Sequence, residues 1–115
     1  MNTYILEKSS RNDKKFMITT PPNMNTGRSK TIHFGASGMS DYNIHKDPER
    51  MNRYEIRHQK RENWTKSGIN TAGFWSKWIL WNQPSLTSSI KDTERRFGIK
   101  IRYVRYVIIN NSQNY

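Results

Sequence analysis

The segment Phe74-Trp75-Ser76-Lys77-Trp78-Ile79-Leu80-Trp81 constrains the fold of this chain more than any other. At helical spacing Phe74, Trp75, Trp78 and Trp81 share about 120° of one face, a stripe too apolar to leave in water. Only 33% of the 115 residues are hydrophobic. A core drawn from so few must use its aromatic residues, which bury the largest areas. The segment is therefore predicted to be the aromatic core, joined by Trp64 and packed against Leu86, Ile90 and Phe97 of a following helix. A stacking platform for bases, or an anchor inserted into a partner protein, are the functional readings of the same residues.

The rest of the chain is organised around that segment. Tyr4-Ile5-Leu6 and Phe16-Met17-Ile18 are short β-friendly runs separated by Ser9-Ser10-Arg11-Asn12-Asp13, which reads as a hairpin. After the loop from Pro21 to Arg28, Lys30-Thr31-Ile32-His33-Phe34-Gly35 alternates as a third strand, with Ile32 and Phe34 on one face. Asp47-Pro48-Glu49 announces a helix by a cap, a proline at the first helical position and an acid in the first turn. That helix is expected to reach about Asn63, a second to run from Thr71-Ala72-Gly73 to Asn82, and a third to follow Pro84-Ser85 and stop at Gly98. Ile99 to Ile109 is rich in β-branched and aromatic residues and reads as a closing strand.

These elements predict one α+β domain over 1–115, in which a small antiparallel sheet of N-terminal strands plus the C-terminal strand packs on about three helices. Residues 1–45 are mainly strands and loops, 46–98 helical, 99–109 the closing strand and 110–115 a frayed polar tail. The N-terminus carries no apolar run of signal-peptide length, and no stretch is long enough to span a bilayer. A soluble protein of cytoplasm, nucleus or particle interior is expected.

Charge directs the functional reading. Twenty Lys and Arg against nine Asp and Glu leave a net charge of +11, so the compact state repels itself unless anions lie nearby. The alternative is a merely solubilising surface, although solubility needs a smaller imbalance. Lys46, Arg50, Arg53, Arg57, Lys60 and Arg61 fall within about 100° of arc at helical spacing. Met51, Tyr54 and His58 lie beside the arc and are expected to dock the helix, with Glu55 and Glu62 on the far flank. An ordinary solvated helix face interleaves both signs, whereas this one carries a single sign. Guanidinium forks suit phosphate oxygens, and counterion release supplies affinity without sequence preference. Asn52 is the one early helix residue of a base-reading type, so sequence-specific recognition is unsupported. Acidic protein or anionic lipid would satisfy the same stripe.

Catalytic constellations are missing from the sequence. There is no cysteine, hence no disulfide framework and no thiolate metal site. Neither a Walker-type glycine loop nor a Gly-x-Ser-x-Gly elbow is present. His33, His45 and His58, with Asn52, faintly resemble the set of a ββα-metal nuclease, but no paired histidine or aspartate set accompanies them. Asp41 and Asp47 belong to a loop and a helix cap rather than to an acid–base pair. No catalytic residue, metal ligand or cofactor is assigned, and no small-molecule substrate is expected.

The stretches KTIHFGASGMSDY, IHKDPER, RHQKRENW, TAGFWSKWILWN and SIKD, between about Gly27 and Lys100, resemble a group of small, basic, uncharacterised proteins encoded by large double-stranded DNA viruses of eukaryotes, the nucleocytoplasmic large DNA viruses. The resemblance implies a protein of the virion, present during infection in a viral factory in host cytoplasm or nucleus. It implies no catalytic residues. The expected function is a non-enzymatic minor capsid or interior virion protein that binds capsid or core proteins, or packaged nucleic acid, through the basic helix face. The alternatives are a nucleic-acid-binding accessory factor of viral replication, transcription or translation and, more remotely, a metal-dependent nuclease.

Overall fold

The computed structural model describes residues 2–105. Three strands open the chain, β1 (Thr3–Lys8), β2 (Lys14–Thr19) and β3 (Thr31–Ala36). β1 and β2 form the expected antiparallel hairpin, with Leu6 opposite Ile18, and β3 pairs antiparallel to β2 with Ile18 opposite Ile32. Ser9 closes the hairpin turn, its backbone N–H donating to the Lys15 carbonyl and its Oγ accepting from the Arg11 N–H. Alternation places Tyr4, Leu6, Ile18, Ile32 and Phe34 on the buried face. The loop between β2 and β3 is tied by Asn23, whose Oδ1 accepts from the Asn25 and Thr26 N–H groups, and by Gly27 at a φ of +71°.

The helical half is α1 (Tyr42–His45), α2 (Pro48–His58), a 3₁₀ turn at Lys66–Gly68, α3 (Ala72–Trp75) running into a π turn at Ser76–Leu80, and α4 (Leu86–Phe97). α1 and the 3₁₀ turn are additions to the expected three helices. Side-chain caps start the longer elements where the sequence places them: Asp47 accepts from the Glu49 N–H, Thr71 from Phe74 and Ser85 from Ser88. α4 ends on Gly98 at a φ of 64°, as its glycine predicts.

The closing strand, β4 (Lys100–Val104), lies beside β1, giving the sheet order β3-β2-β1-β4. The pairing is parallel, Tyr4 opposite Ile101 and Leu6 opposite Tyr103, so the sheet is mixed rather than antiparallel. The reason is the connection. β3 runs in the direction of β1, and the helices between β3 and β4 carry the chain back to the end from which β3 started, the route a parallel strand requires. The part of the predicted closing strand beyond residue 105, and the tail 110–115, lie outside the described residues.

Phe74, Trp75 and Ile79 are fully buried against Leu6, Ile18 and Phe34. Trp75 Nε1 donates to the Ile69 carbonyl at 2.7 Å, so its one polar atom is satisfied inside the core. On α4 the buried residues are Ser89, Asp92 and Thr93; the small Ser89 and Thr93 side chains let the two helices approach closely, and Thr93 Oγ1 hydrogen-bonds the Trp78 carbonyl at 3.1 Å. Phe97 packs on Phe74 and Trp78, with ring centroids 4.9 and 5.3 Å away.

The π turn corrects the expected single aromatic face. The Trp81 N–H reaches back five residues to the Ser76 carbonyl as well as four to Lys77, so this turn is wider than an α turn and the phase slips. Trp78 stays with Phe74 and Phe97 in the core, while Trp81 swings to the Tyr54 ring of α2.

Candidate polyanion-binding face

α2 is amphipathic in an unusual sense, because its inner side carries aromatic rings and the Glu55 carboxylate and its outer side three arginines beside Glu49, Asn52 and Ile56. Tyr54 is buried, and Met51, Glu55 and His58 are half-buried beside it at spacings of three and four. The Tyr54 and Trp81 rings lie parallel at 4.4 Å, and His58 stacks on Tyr54 at 4.3 Å. Burial, with the nearby Glu62 carboxylate, pushes the Tyr54 phenol well above its ordinary range, so it stays neutral.

Glu49, in the first turn of α2, is exposed, but Glu55 and Glu62 turn inward. Glu55 meets the Lys77 ammonium at 2.5 Å, and Lys77 is almost fully buried. The same ammonium lies 5.4 Å from the Trp64 ring centroid and 5.0 Å from that of Trp78. Glu62 stands 3.8 Å from His58 and so close over Gly73 that a Cβ there would lie 2.1 Å from its carboxylate. Burial lowers the His58 pKa and the Arg61 charge lowers it further, against the pull of Glu62.

Arg50, Arg53 and Arg57 occupy the opposite side of α2 and are exposed. Arg53 has a long, solvent-exposed ion pair with Glu49 at 3.9 Å, a geometry worth little. No ion pair holds Arg50 or Arg57 among the described residues. Lys60 and Arg61 are also exposed, but α2 ends at His58 and they sit on the turn that follows, where the Arg61 N–H donates to the His58 carbonyl.

The predicted six-cation stripe is therefore not one helical face. Lys46 departs from it, because Asp47 must stay extended before Pro48 and Lys46 itself takes a left-handed φ of 56° as the C-cap of α1. Its ammonium is spent on the Asn43 and Pro84 carbonyls, fastening α1 to the loop before α4. Three of the six predicted cations project from helix, two from a turn, and one is a staple.

The aromatic set is turned inward. Phe74 and Trp75 are fully buried, Trp78 and Trp81 pack on the core, and Trp64 accepts the Trp78 Nε1–H on its carbonyl at 2.9 Å. The Arg96 guanidinium covers Trp78, 4.5 Å from its centroid. The histidines have separate partners: His33 Nδ1 with Ser9 Oγ at 2.7 Å, His45 Nδ1 with the Asp47 N–H at 2.9 Å, and His58 with Tyr54 and Glu62. Among the described residues no three His, Asp or Glu side chains converge as a metal site.

Sequence reasoning missed the Glu55–Lys77 pair, although a lysine inside an aromatic run is a signal that a carboxylate must come to it.

Residues 4–58 match the model of a family of unknown function (DUF5754). The matched stretch carries β1 to β3, α1 and α2, and so includes Arg50, Arg53 and Arg57 but neither the π turn nor α4. No curated protein and no solved structure matches the chain. Among the described residues no helix is long and apolar enough to cross a membrane.

Proposed function

We propose that this protein is a non-catalytic binding module that holds a polyanion against Arg50, Arg53, Arg57, Lys60 and Arg61, as a minor capsid or interior component of a large DNA virus particle with packaged nucleic acid as the polyanion. One observation carries the binding reading: the signs are largely sorted. Glu55 is consumed by Lys77 and Glu62 is half-buried beside His58 and Gly73, while Arg50, Arg53 and Arg57 face water with one long ion pair, from Arg53 to the exposed Glu49. Fixing three guanidinium groups on one side of a helix leaves their repulsion unrelieved until phosphates arrive. The resemblance to proteins of large DNA viruses supplies the particle, where such a charge neutralises packaged DNA.

Duplex binding measured across a salt series tests the face. Each phosphate neutralised contributes about −0.9 to the slope of log K against log salt, so five contacts give at most about −4.5. Replacing Arg50, Arg53 and Arg57 together by alanine should flatten that slope by up to about 2.7. An unchanged slope would place the binding elsewhere on the molecule. Abundance in purified particles separates the virion role from an accessory role in viral replication, transcription or translation.

A further inference from the structure

A second concave surface opens at the end of the sheet where β1 finishes and β2 begins, beneath α1 and the start of α4. It is a cleft of about 450 Å³ walled by Phe16, Ile44, Leu80, Leu86 and Tyr103. Two of these are large apolar residues left in water, Ile44 at 62% exposure and Tyr103 at 37%. Met24, Met39 and Ile56 are exposed elsewhere too, but here apolar side chains gather in one concave surface, which favours contact with a partner.

The polar groups around the walls narrow what fits. Lys8, Lys14 and Lys15 line the cleft with Asp41. Asp41 is buried and neutralises Lys15, and no ion pair holds Lys8 or Lys14 among the described residues, so the cleft is positive by two charges. Asn43 also lines the cleft. Its amide group donates to the Ile79 and Leu80 carbonyls at 2.9 and 3.1 Å, which fixes its orientation and leaves Oδ1 buried with no donor.

Apolar walls and a rim with two unpaired ammonium groups ask for a bulky apolar side chain and more than one carboxylate. An acidic peptide brings both, whereas an acyl chain brings a single carboxylate. We propose that this cleft docks a short acidic segment of a partner protein, which inserts one bulky apolar side chain between Ile44 and Tyr103 and sets its carboxylates against Lys8 and Lys14. The cleft shares no residue with the arginine face, so a chain holding a polyanion on α2 keeps this surface free for protein.

The test uses the full chain and a fluorescently labelled, capped peptide Glu-Asp-Glu-Phe-Asp-Glu-Asp, followed by anisotropy. Exchanging the peptide's phenylalanine for alanine should weaken binding about tenfold, the effect of losing one buried aromatic side chain. Ile44→Asp should weaken it at least as much with an unchanged melting temperature, because Ile44 is already largely exposed. Lys8→Gln with Lys14→Gln should weaken binding and flatten its salt dependence. The triple arginine variant of α2 should bind the peptide within about twofold of the unaltered chain, since distant sites act independently. The proposal is overturned by no measurable binding, by equal binding of the phenylalanine and alanine peptides, by losses that follow the α2 arginines instead of Ile44, or by sodium dodecanoate occupying the cleft more tightly than the peptide.

Discussion

Glu55→Ala and Lys77→Met cut opposite ends of one ion pair, and the burial of each end decides which cut costs more. The Lys77 side chain is 8% exposed and that of Glu55 33%. Removing Glu55 strands an ammonium whose remaining neighbours are the Trp81 carbonyl at 3.4 Å and the faces of Trp64 and Trp78. Stripping the partner from a fully buried charge costs about 3–5 kcal/mol. The water already reaching Glu55 and the two indole faces that still attract the cation reduce this to about 2 kcal/mol. Lys77→Met keeps an unbranched side chain of similar bulk and leaves a carboxylate that is already partly hydrated, so its cost should stay below about 1 kcal/mol. In a domain of this size, about 2 kcal/mol lowers Tm by on the order of 10 °C. Urea denaturation of both variants and of the double variant should rank Glu55→Ala as the least stable, with the double variant close to Lys77→Met alone. Greater loss in Lys77→Met, or simple additivity of the two, would refute the account of this pair.

Three further outcomes follow from particular contacts. Gly68→Ala should destabilise by about 2–3 kcal/mol in thermal denaturation, because its Cβ would lie 2.0 Å from the Asn63 carbonyl oxygen, a backbone atom that cannot rotate away; Gly27→Ala, which meets open space, should cost only about 1–2 kcal/mol for its positive φ. Burial, aided by Arg50 at His45 and by Arg61 at His58, holds both histidine pKa values below the ordinary one. The unfolded chain therefore takes up these protons first, so stability is complete above about pH 6.5 and declines as pH falls toward the folded-state values. Replacing both histidines by glutamine should flatten the denaturation midpoint against pH below about 6.5, and a gain in stability on acidification would contradict the sign. Trp81→Leu removes the ring on which Tyr54 stacks; hydrogen exchange should speed up in α2 while β1 and α4 keep their protection.

The parts of this fold that local chemistry specifies were legible before the structure. Asp47-Pro48, Ser85 and Gly98 set helix ends by capping and by φ, which depend on a few neighbouring residues. Ile32 and Phe34 declared a buried face by alternation. The direction of β4 was not legible, because alternation is the same in a parallel and an antiparallel edge and only the path through the helices distinguishes them. Nor was the π turn, since a helical wheel assumes 100° per residue and placed Trp81 with Phe74 when one widened turn sends it to Tyr54. For the proposed binding face, the wheel found Arg50, Arg53 and Arg57 but carried the helix too far at both ends. It included Lys46 across a proline that no helix of this kind crosses, and Lys60 and Arg61 beyond a terminus at His58.

The inward turn of the aromatic residues bears on which nucleic acid the proposed face would hold more tightly. Proteins that hold single strands add base stacking worth about 1–3 kcal/mol per base to their electrostatic attraction. Here Trp75 and Phe74 are sealed in the core, Trp81 is covered by Tyr54 and Trp78 by Phe97 and Arg96, so the tryptophan segment offers no ring to a base. What remains is charge in two mechanical states: Arg50 to Arg57 spaced over roughly 10 Å of helix axis, and Lys60 and Arg61 on the turn beyond it. Affinity on this account scales with the density of phosphates rather than with access to bases. A duplex, with a charge about every 1.7 Å of its axis, should therefore bind more tightly than a single strand of the same length, and with a steeper response to salt.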